Sequence, residues 1–430
     1  MDYTTTQIGE GIKLHKINTN KFKTNLIAIF LTTKLNKEDI TKKSLILGVL
    51  KRGTNNLKTQ EKINTKLEEL YGAELNCGID KLADDHVMKF YIESLNDNFT
   101  YQQEEILKQS IKLLFDIVFN PLTQNGEFNT EYVESEKQKL KQIIDAKKDN
   151  KAHYSYTRCI EEMYKNEPYG LYSLGYSEDL EQITNKNLYE TYKNIIKTCK
   201  IDIFVSGSFK EDSTTENNIE KLVEDCVKTS KINPRNVESL YVKNEAKTEP
   251  KEKVVKEKMD VSQGKLVIGL DILNSTPEDK PATSVYNAIL GGGANSKLFQ
   301  NVREKASLAY SASSMYIKNK NNIIIRSGIE HTNYEKALEI IKKQIEDMQK
   351  GEFTQKDIQD AKQLITSSFR SMQDEQDSEL SYYFNREMEQ NLVDIENYIK
   401  QIESVSKEQI VKIASNVKVN TIYFLTNSAQ

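Results

Sequence analysis

The two halves of this chain repeat one plan, and that repetition constrains the fold more than any other feature. Ile46-Leu47-Gly48 in the first half is echoed by Ile289-Leu290-Gly291 in the second. Asn64-Thr65-Lys66-Leu67 is echoed by Asn295-Ser296-Lys297-Leu298. The offsets are 243 and 231 residues, so an insertion of 12 residues before Asn64 reconciles them. Matches in the same order and context read as an internal duplication.

Hydrophobic periodicity supports the same plan in both halves. In the first, residues 11–18, 26–31, 73–80, 86–94 and 201–205 read as strands. Residues 42–50, 59–70, 104–118, 131–148 and 181–199 read as helices, the first ending near Gly53, which suits a helix C-terminus. In the second, 266–273, 308–316, 322–329 and 419–425 read as strands. Residues 281–290, 297–305, 334–349, 355–370, 378–389 and 395–402 read as helices. Between the halves, residues 238–259 alternate in charge, hold one proline and few apolar residues, and read as a connector. The expectation is an α+β chain of two homologous domains, 1–237 and 260–430, each an antiparallel or mixed β-sheet packed with helices.

Charge excludes several partners. With 60 basic and 64 acidic residues, the net charge of -4 supplies no basic footprint for nucleic acid and no polybasic stripe for a membrane. No run approaches the ~18 apolar residues of a membrane-spanning helix, and residues 1–16 hold no apolar signal core. The four cysteines, Cys77, Cys159, Cys199 and Cys226, form no CxxC pair, which fits a reduced, cytoplasmic chain.

The four histidines, His15, His86, His153 and His331, are too far apart to share a helix face. A helical HExxH or HxxEH zinc site needs two imidazoles one turn apart, so this chain has none. The sharpest local feature is Leu290-Gly291-Gly292-Gly293-Ala294-Asn295-Ser296-Lys297-Leu298-Phe299. Its glycines free the backbone for positive φ and for close approach by another chain. It is not a phosphate-binding loop: Lys297 follows a serine rather than a glycine, Leu298 stands where a hydroxyl is needed, and a helix rather than a strand precedes it.

The glycine run continues as Phe299-Gln300-Asn301-Val302-Arg303-Glu304-Lys305 and, after Ala306-Ser307, Leu308-Ala309-Tyr310-Ser311. This resembles the C-terminal-domain signature of the insulinase/pitrilysin zinc peptidases, in the branch that includes mitochondrial processing peptidase. Arg52-Gly53-Thr54 resembles the turn after that family's zinc helix, and Leu70 to Asn76 its following helix-to-strand passage. The resemblance spans nearly the whole chain. Its implied fold is processing-peptidase-like, half of a clamshell.

Counting back from Gly53, the family's HxxEH positions fall on Ser44-Leu45-Ile46-Leu47-Gly48. Ser44 and Gly48 replace the histidines, Leu47 replaces the glutamate that activates water, and Glu136 is the nearest match to the third ligand. The resemblance therefore implies a chain with no catalytic residue, no metal and no cofactor of its own. Arg303 and Tyr310 match a family pair that orients the substrate peptide, and Gly291, Gly292 and Gly293 match a loop along the substrate chamber. What is kept and what is lost resemble the non-catalytic subunit of two-subunit members, such as the bacterial YfmF group. That implies a heterodimer with a zinc-bearing sister chain, a peptide or unfolded polypeptide as substrate, and an association with modification of elongation factor P.

Two other readings remain open on the residues. The scaffold could serve as a purely structural or peptide-binding assembly module. Alternatively, Cys77 and His86, on adjacent candidate strands, could form a rearranged catalytic site, provided the base reaches the thiol.

Overall fold

A computed structural model of the chain describes residues 2–102, 104–209, 218–232, 235, 237, 240 and 247–427. These form two compact units. One comprises residues 1–145, 171–241 and 374–390; the other comprises 146–170, 242–373 and 391–430.

The first unit is built on a six-stranded sheet in the order Asp2–Gly9, Ile12–Asn18, Lys200–Gly207, Thr24–Lys34, Asp85–Leu95, Glu74–Leu82. Only Ile12–Asn18 and Lys200–Gly207 run parallel; the other neighbours are antiparallel. The second unit holds a five-stranded sheet in the order Ala309–Ile317, Asn322–Ile329, Gly264–Ile272, Val417–Thr426, Lys253–Lys258. Again only the last pair is parallel. Without the outermost strand Asp2–Gly9, the two orders and directions are the same. The duplication read from two short echoes is therefore present in the topology. Ile46-Leu47-Gly48 lies in helix Ile40–Leu50 and Ile289-Leu290-Gly291 in helix Lys280–Gly291, each the first α-helix after its sheet's central strand.

The central strands are buried on both faces, so they read as continuous apolar runs rather than as alternation. In Thr24–Lys34, Ile27, Ile29 and Leu31 join the core formed with helices Ile40–Leu50, Ile106–Phe119 and Asn185–Thr198. The opposite face carries Phe30, whose ring lies 4.7 Å from that of Phe384 on helix Gln376–Met388. Burying a phenylalanine in this way contributes about 2–3 kcal/mol. In the second unit Leu266, Ile268 and Leu270 face helix Lys280–Gly291, while Val267, Ile324, Tyr423 and Leu425 face Tyr154, Cys159 and Ile160 of helix Lys151–Met163. A Cβ on Gly269 would overlap the Met163 sulfur, so glycine is what lets this helix approach the sheet.

Two helices thus depart from the linear division expected at 238–259. Lys151–Met163 precedes the connector yet belongs to the second unit, and Gln376–Met388 follows it yet belongs to the first. Periodicity identifies a helix and its apolar face but not the sheet that face will cover. Helix Gln376–Met388 docks through polar groups as well. The Gln376 amide donates to the Ser206 carbonyl at 2.9 Å, and Lys13 lies 2.5 Å from Glu387. Glu379 is fully buried, and neither carboxylate oxygen has a hydrogen-bond partner among the described residues. Burial pushes its pKa up to about 7, with Lys21 offsetting part of the shift.

Other differences are local. The polar edge strand Asp2–Gly9 and helices Lys151–Met163, Ile219–Thr229 and Lys407–Ser415 were not expected from periodicity. The expected connector contains the edge strand Lys253–Lys258, whose alternating half-buried and exposed residues suit an outermost position. The rest of its described part is irregular. Residues 299–305 form a wide π-type turn rather than an α-helix.

Candidate functional site

Ser44, Leu47 and Gly48 stand at i, i+3 and i+4 of helix Ile40–Leu50, which sets them on one face. Helix Thr130–Asp145 brings Glu136 against that face: a Cβ on Gly48 would lie 2.5 Å from Glu136 Oε2. The fold therefore brings together the four positions that the resemblance assigned to a metal site, and their side chains are engaged otherwise. The Ser44 hydroxyl lies 3.2 Å from the Ile40 carbonyl and 3.3 Å from the Ser173 carbonyl and can donate to either. Leu47 is buried in the apolar core.

Glu136 has acquired cationic partners. Arg52 Nε donates to Glu136 Oε1 at 2.6 Å, and Lys139 donates to the same oxygen at 3.0 Å. Arg52 is fixed by two further donations, to Ser135 Oγ at 2.8 Å and Gln60 Oε1 at 3.2 Å. A catalytic zinc takes three protein ligands plus water. A hydroxyl facing carbonyls, a leucine, a glycine without space and a carboxylate held by a guanidinium do not fit that ion. Among the described residues, no three His, Cys, Asp or Glu side chains group as a metal site. Sequence reasoning placed Arg52 in a turn and missed its role as the partner of Glu136. The signal was its position four residues after Gly48, in the turn that follows the helix.

Cys77 and His86 do not form a catalytic pair. Cys77 is registered opposite Phe90 and His86 opposite Lys81, so the two lie about four residues, roughly 13 Å, apart along the strands. His86 Nε2 lies 2.9 Å from the Ser173 carbonyl. Burial, reinforced by Lys43, pushes the imidazole down to about 3. Burial likewise pushes the Cys77 thiol up, so it is not poised as a thiolate.

In the second unit, the glycine run ends helix Lys280–Gly291 and packs on edge strand Ala309–Ile317. Gly291 is buried, and a Cβ there would lie 2.5 Å from the Ser314 amide nitrogen. A Cβ on Gly292 would lie 2.6 Å from Ala288 Cα. Gly293 is half-buried, its Cβ position 3.2 Å from the Leu364 side chain. None of the three has positive φ, so the freedom that glycine gives there is not used. At Gly291 the close approach is to this chain's own strand. Beside the loop is a cavity of about 330 Å³ lined by Gly293, Asn295, Asp360 and Leu364, among others.

Arg303 is 43 % exposed at its side chain. Its guanidinium lies 4.5 Å from the Phe299 ring centroid and 3.5 Å from the Glu304 carboxylate. Tyr310 is 65 % exposed and donates to Glu330 Oε1 at 2.7 Å, which raises its pKa. The register of Ala309–Ile317 against Asn322–Ile329 shifts between Ala309 and Ser311, placing Tyr310 on a bulge that re-aims its side chain. Ala309–Ile317 is an edge strand, with one row of backbone donors and acceptors unpaired by the sheet.

The model of the family described as "Peptidase M16 inactive domain" matches residues 182–365. The chain is 35% identical over 416 residues to "Probable inactive metalloprotease YmfF" of Bacillus subtilis, covering 96% of each sequence. It is 24% identical over 325 residues to an "Uncharacterized zinc protease" of Rickettsia felis, covering 74% of this chain and 71% of the relative. A solved structure of a conserved protein from Enterococcus faecalis V583 superposes with a TM-score of 0.87 at 26% identity, covering 100% of both chains. The peptidase M16 inactive domain from Pseudomonas fluorescens has the same fold, with a TM-score of 0.79 at 17% identity over 100% of this chain and 99% of that one.

Proposed function

We infer the role of this chain from its family: it belongs to the M16, or insulinase/pitrilysin-type, peptidases and is one of their inactive homologues. It serves as the non-catalytic subunit of a heterodimeric metallopeptidase. A sister chain carries the HxxEH motif and the zinc, and this chain closes the chamber around a peptide or unfolded polypeptide. The observation that carries this reading is the Gly48–Glu136–Arg52 arrangement. At the helix that the resemblance assigns to the metal, packing and an ion pair occupy the space that ligands would need. A scaffold kept without its metal chemistry fits a partner that supplies that chemistry.

The substrate-facing role rests on exposed groups. Arg303 and Tyr310 can each donate to a peptide carbonyl. Edge strand Ala309–Ile317 offers backbone groups for strand addition, with Gly292 and Gly293 at the surface of the adjoining loop. The working compartment is the cytoplasm, supported by four free cysteines and by the absence, among the described residues, of any helix long and apolar enough to cross a membrane. The association with elongation factor P modification is part of the same proposal and rests on the family resemblance alone.

Tagged full-length chain recovered from native lysate should bring down a stoichiometric HxxEH-bearing chain, with about one zinc per heterodimer residing in that partner. Stoichiometric zinc in this chain purified alone overturns the reading. So does a sister peptidase whose turnover is the same with and without it.

A further inference from the structure

The first unit contains a second, larger cavity, of about 890 Å³, between helices Ile106–Phe119 and Ile219–Thr229. Its volume lies within the range of small-molecule sites, ~300–1,000 Å³. Its chemistry follows from two helical stripes. On the first helix Lys108, Lys112, Phe115 and Phe119 recur at i, i+4, i+7 and i+11, so two lysines and two aromatic rings share one face. On the second, Leu222 and Cys226 are one turn apart and line the same space. Phe115, Phe119 and Cys226 are buried and Leu222 is half-buried, giving an apolar floor.

Cations dominate the rim. Lys112, Lys221 and Lys231 line the cavity, are exposed, and form no ion pair among the described residues. Lys108 is shared with Glu105 at 3.1 Å. The two acids present are already engaged. The Asp116 carboxylate accepts from Thr54 at 2.5 Å and from Asn56 and Asn120 at 2.7 Å each. Asp225 lies 3.9 Å from Lys228 of its own helix. Burial pushes the Cys226 thiol up to about 11, even though Lys112 lowers it. The thiol therefore stays uncharged and adds to the apolar wall, and the field of Lys112 reaches into the cavity.

We propose that this cavity binds a small amphipathic anion, a single acyl or aryl chain bearing a carboxylate or phosphate, with the chain against Phe115, Phe119 and Leu222 and the head group among Lys112, Lys221 and Lys231. The site is distinct from Gly48 and Glu136 and is independent of the peptidase-subunit reading. Its occupant is a dissolved monomer rather than a lipid surface, because the apolar groups line a concave floor and do not stand out as a ridge.

The test is calorimetric titration of the full-length chain with dodecanoate below its micelle concentration. Dodecyltrimethylammonium is the opposite-charge control, and phosphatidylglycerol vesicles form a sedimentation arm. Saturable one-to-one dodecanoate binding is expected, at least tenfold tighter than binding of the cation, with no co-sedimentation. The Lys112→Glu/Lys221→Glu variant, checked for native circular dichroism, should lose at least tenfold in affinity, while Lys112→Arg/Lys221→Arg retains it. The proposal is overturned by any of three results: no dodecanoate binding, equal binding of the cation, or an undiminished charge-reversed variant. Binding to vesicles without binding of the monomer also overturns it, in favour of a membrane surface.

Discussion

Arg52 Nε stands 2.6 Å from Glu136 Oε1, one helical turn beyond the glycine whose missing side chain leaves room for that carboxylate. The carboxylate packed against Gly48 is thus held by a guanidinium. The pair is only slightly exposed, at 19% and 12% of the side chains, so screening by water is modest. Replacing Arg52 with methionine should cost about 1–3 kcal/mol, between the values for exposed and buried pairs, since Lys139 still reaches Glu136. Urea denaturation at neutral pH measures this; an unchanged midpoint would show the ion pair to be energetically silent.

Restoring one histidine should not restore a metal site. Gly48→His forces a side chain into the Glu136 carboxylate, and overpacking of this kind costs about 1–3 kcal/mol. A lower Tm without zinc in elemental analysis is the expected outcome. Stoichiometric zinc in this single variant would mean that Glu136 leaves Arg52 readily.

The glycine run separates fold from function. Gly291→Ala meets the rigid backbone at Ser314 and should destabilise by about 1–3 kcal/mol. Gly293→Ala meets only the flexible end of Leu364 and should stay within about 0.5 kcal/mol. Thermal unfolding of the two variants measures the contrast. Any effect of Gly293→Ala on peptide cleavage by the assembled pair then reports substrate contact rather than folding.

Arg303→Ala and Tyr310→Phe should leave Tm within about 1–2 °C of the parent, because both side chains are well exposed. With the zinc-bearing partner present, each should lower kcat/KM for a peptide substrate about tenfold, equivalent to ~1.4 kcal/mol of transition-state binding. Equal turnover in both variants would remove their substrate role.

Glu379 makes stability depend on pH. Its folded pKa of about 7 lies above the ordinary 4.5, so the folded state holds its proton more tightly than the unfolded chain. Below about pH 4.5 both states are protonated and burial of the group carries no ionic penalty. Between there and about pH 7 the unfolded chain ionises first, so stability falls as pH rises; above that the full penalty applies. Glu379→Gln should match the parent near pH 4 and exceed it by about 1–3 kcal/mol at pH 8. Parallel unfolding curves at the two pH values check the sign.

What could be read from the residues divides along a physical line. What the residues could show was a matter of types at fixed helical spacing: Ser44, Leu47 and Gly48 supply no imidazole and no carboxylate at i, i+3 and i+4. The central strands were legible because double-sided burial leaves an unbroken apolar run. Strand Asp2–Gly9 was not, since Tyr3-Thr4-Thr5-Thr6-Gln7 carries no apolar alternation and is held by backbone pairing with Ile12–Asn18. Arg52 escaped as a partner because its carboxylate is 84 residues away in the chain. The resemblance singled out Arg303 and Tyr310 by pattern, but no pattern could show that Tyr310 rides on a bulge and leans on Glu330.

The crossing helices bear on how the chain is made. The face of the first sheet that holds Phe30 and Phe204 is covered by Phe384, from a helix ending at Met388 of 430 residues. Domains usually fold as units in the order in which they leave the ribosome. Here the first cannot close until synthesis has passed Met388, long after the last strand of its own sheet at Gly207. Until then the apolar side that holds Phe30 and Phe204 stands open to water.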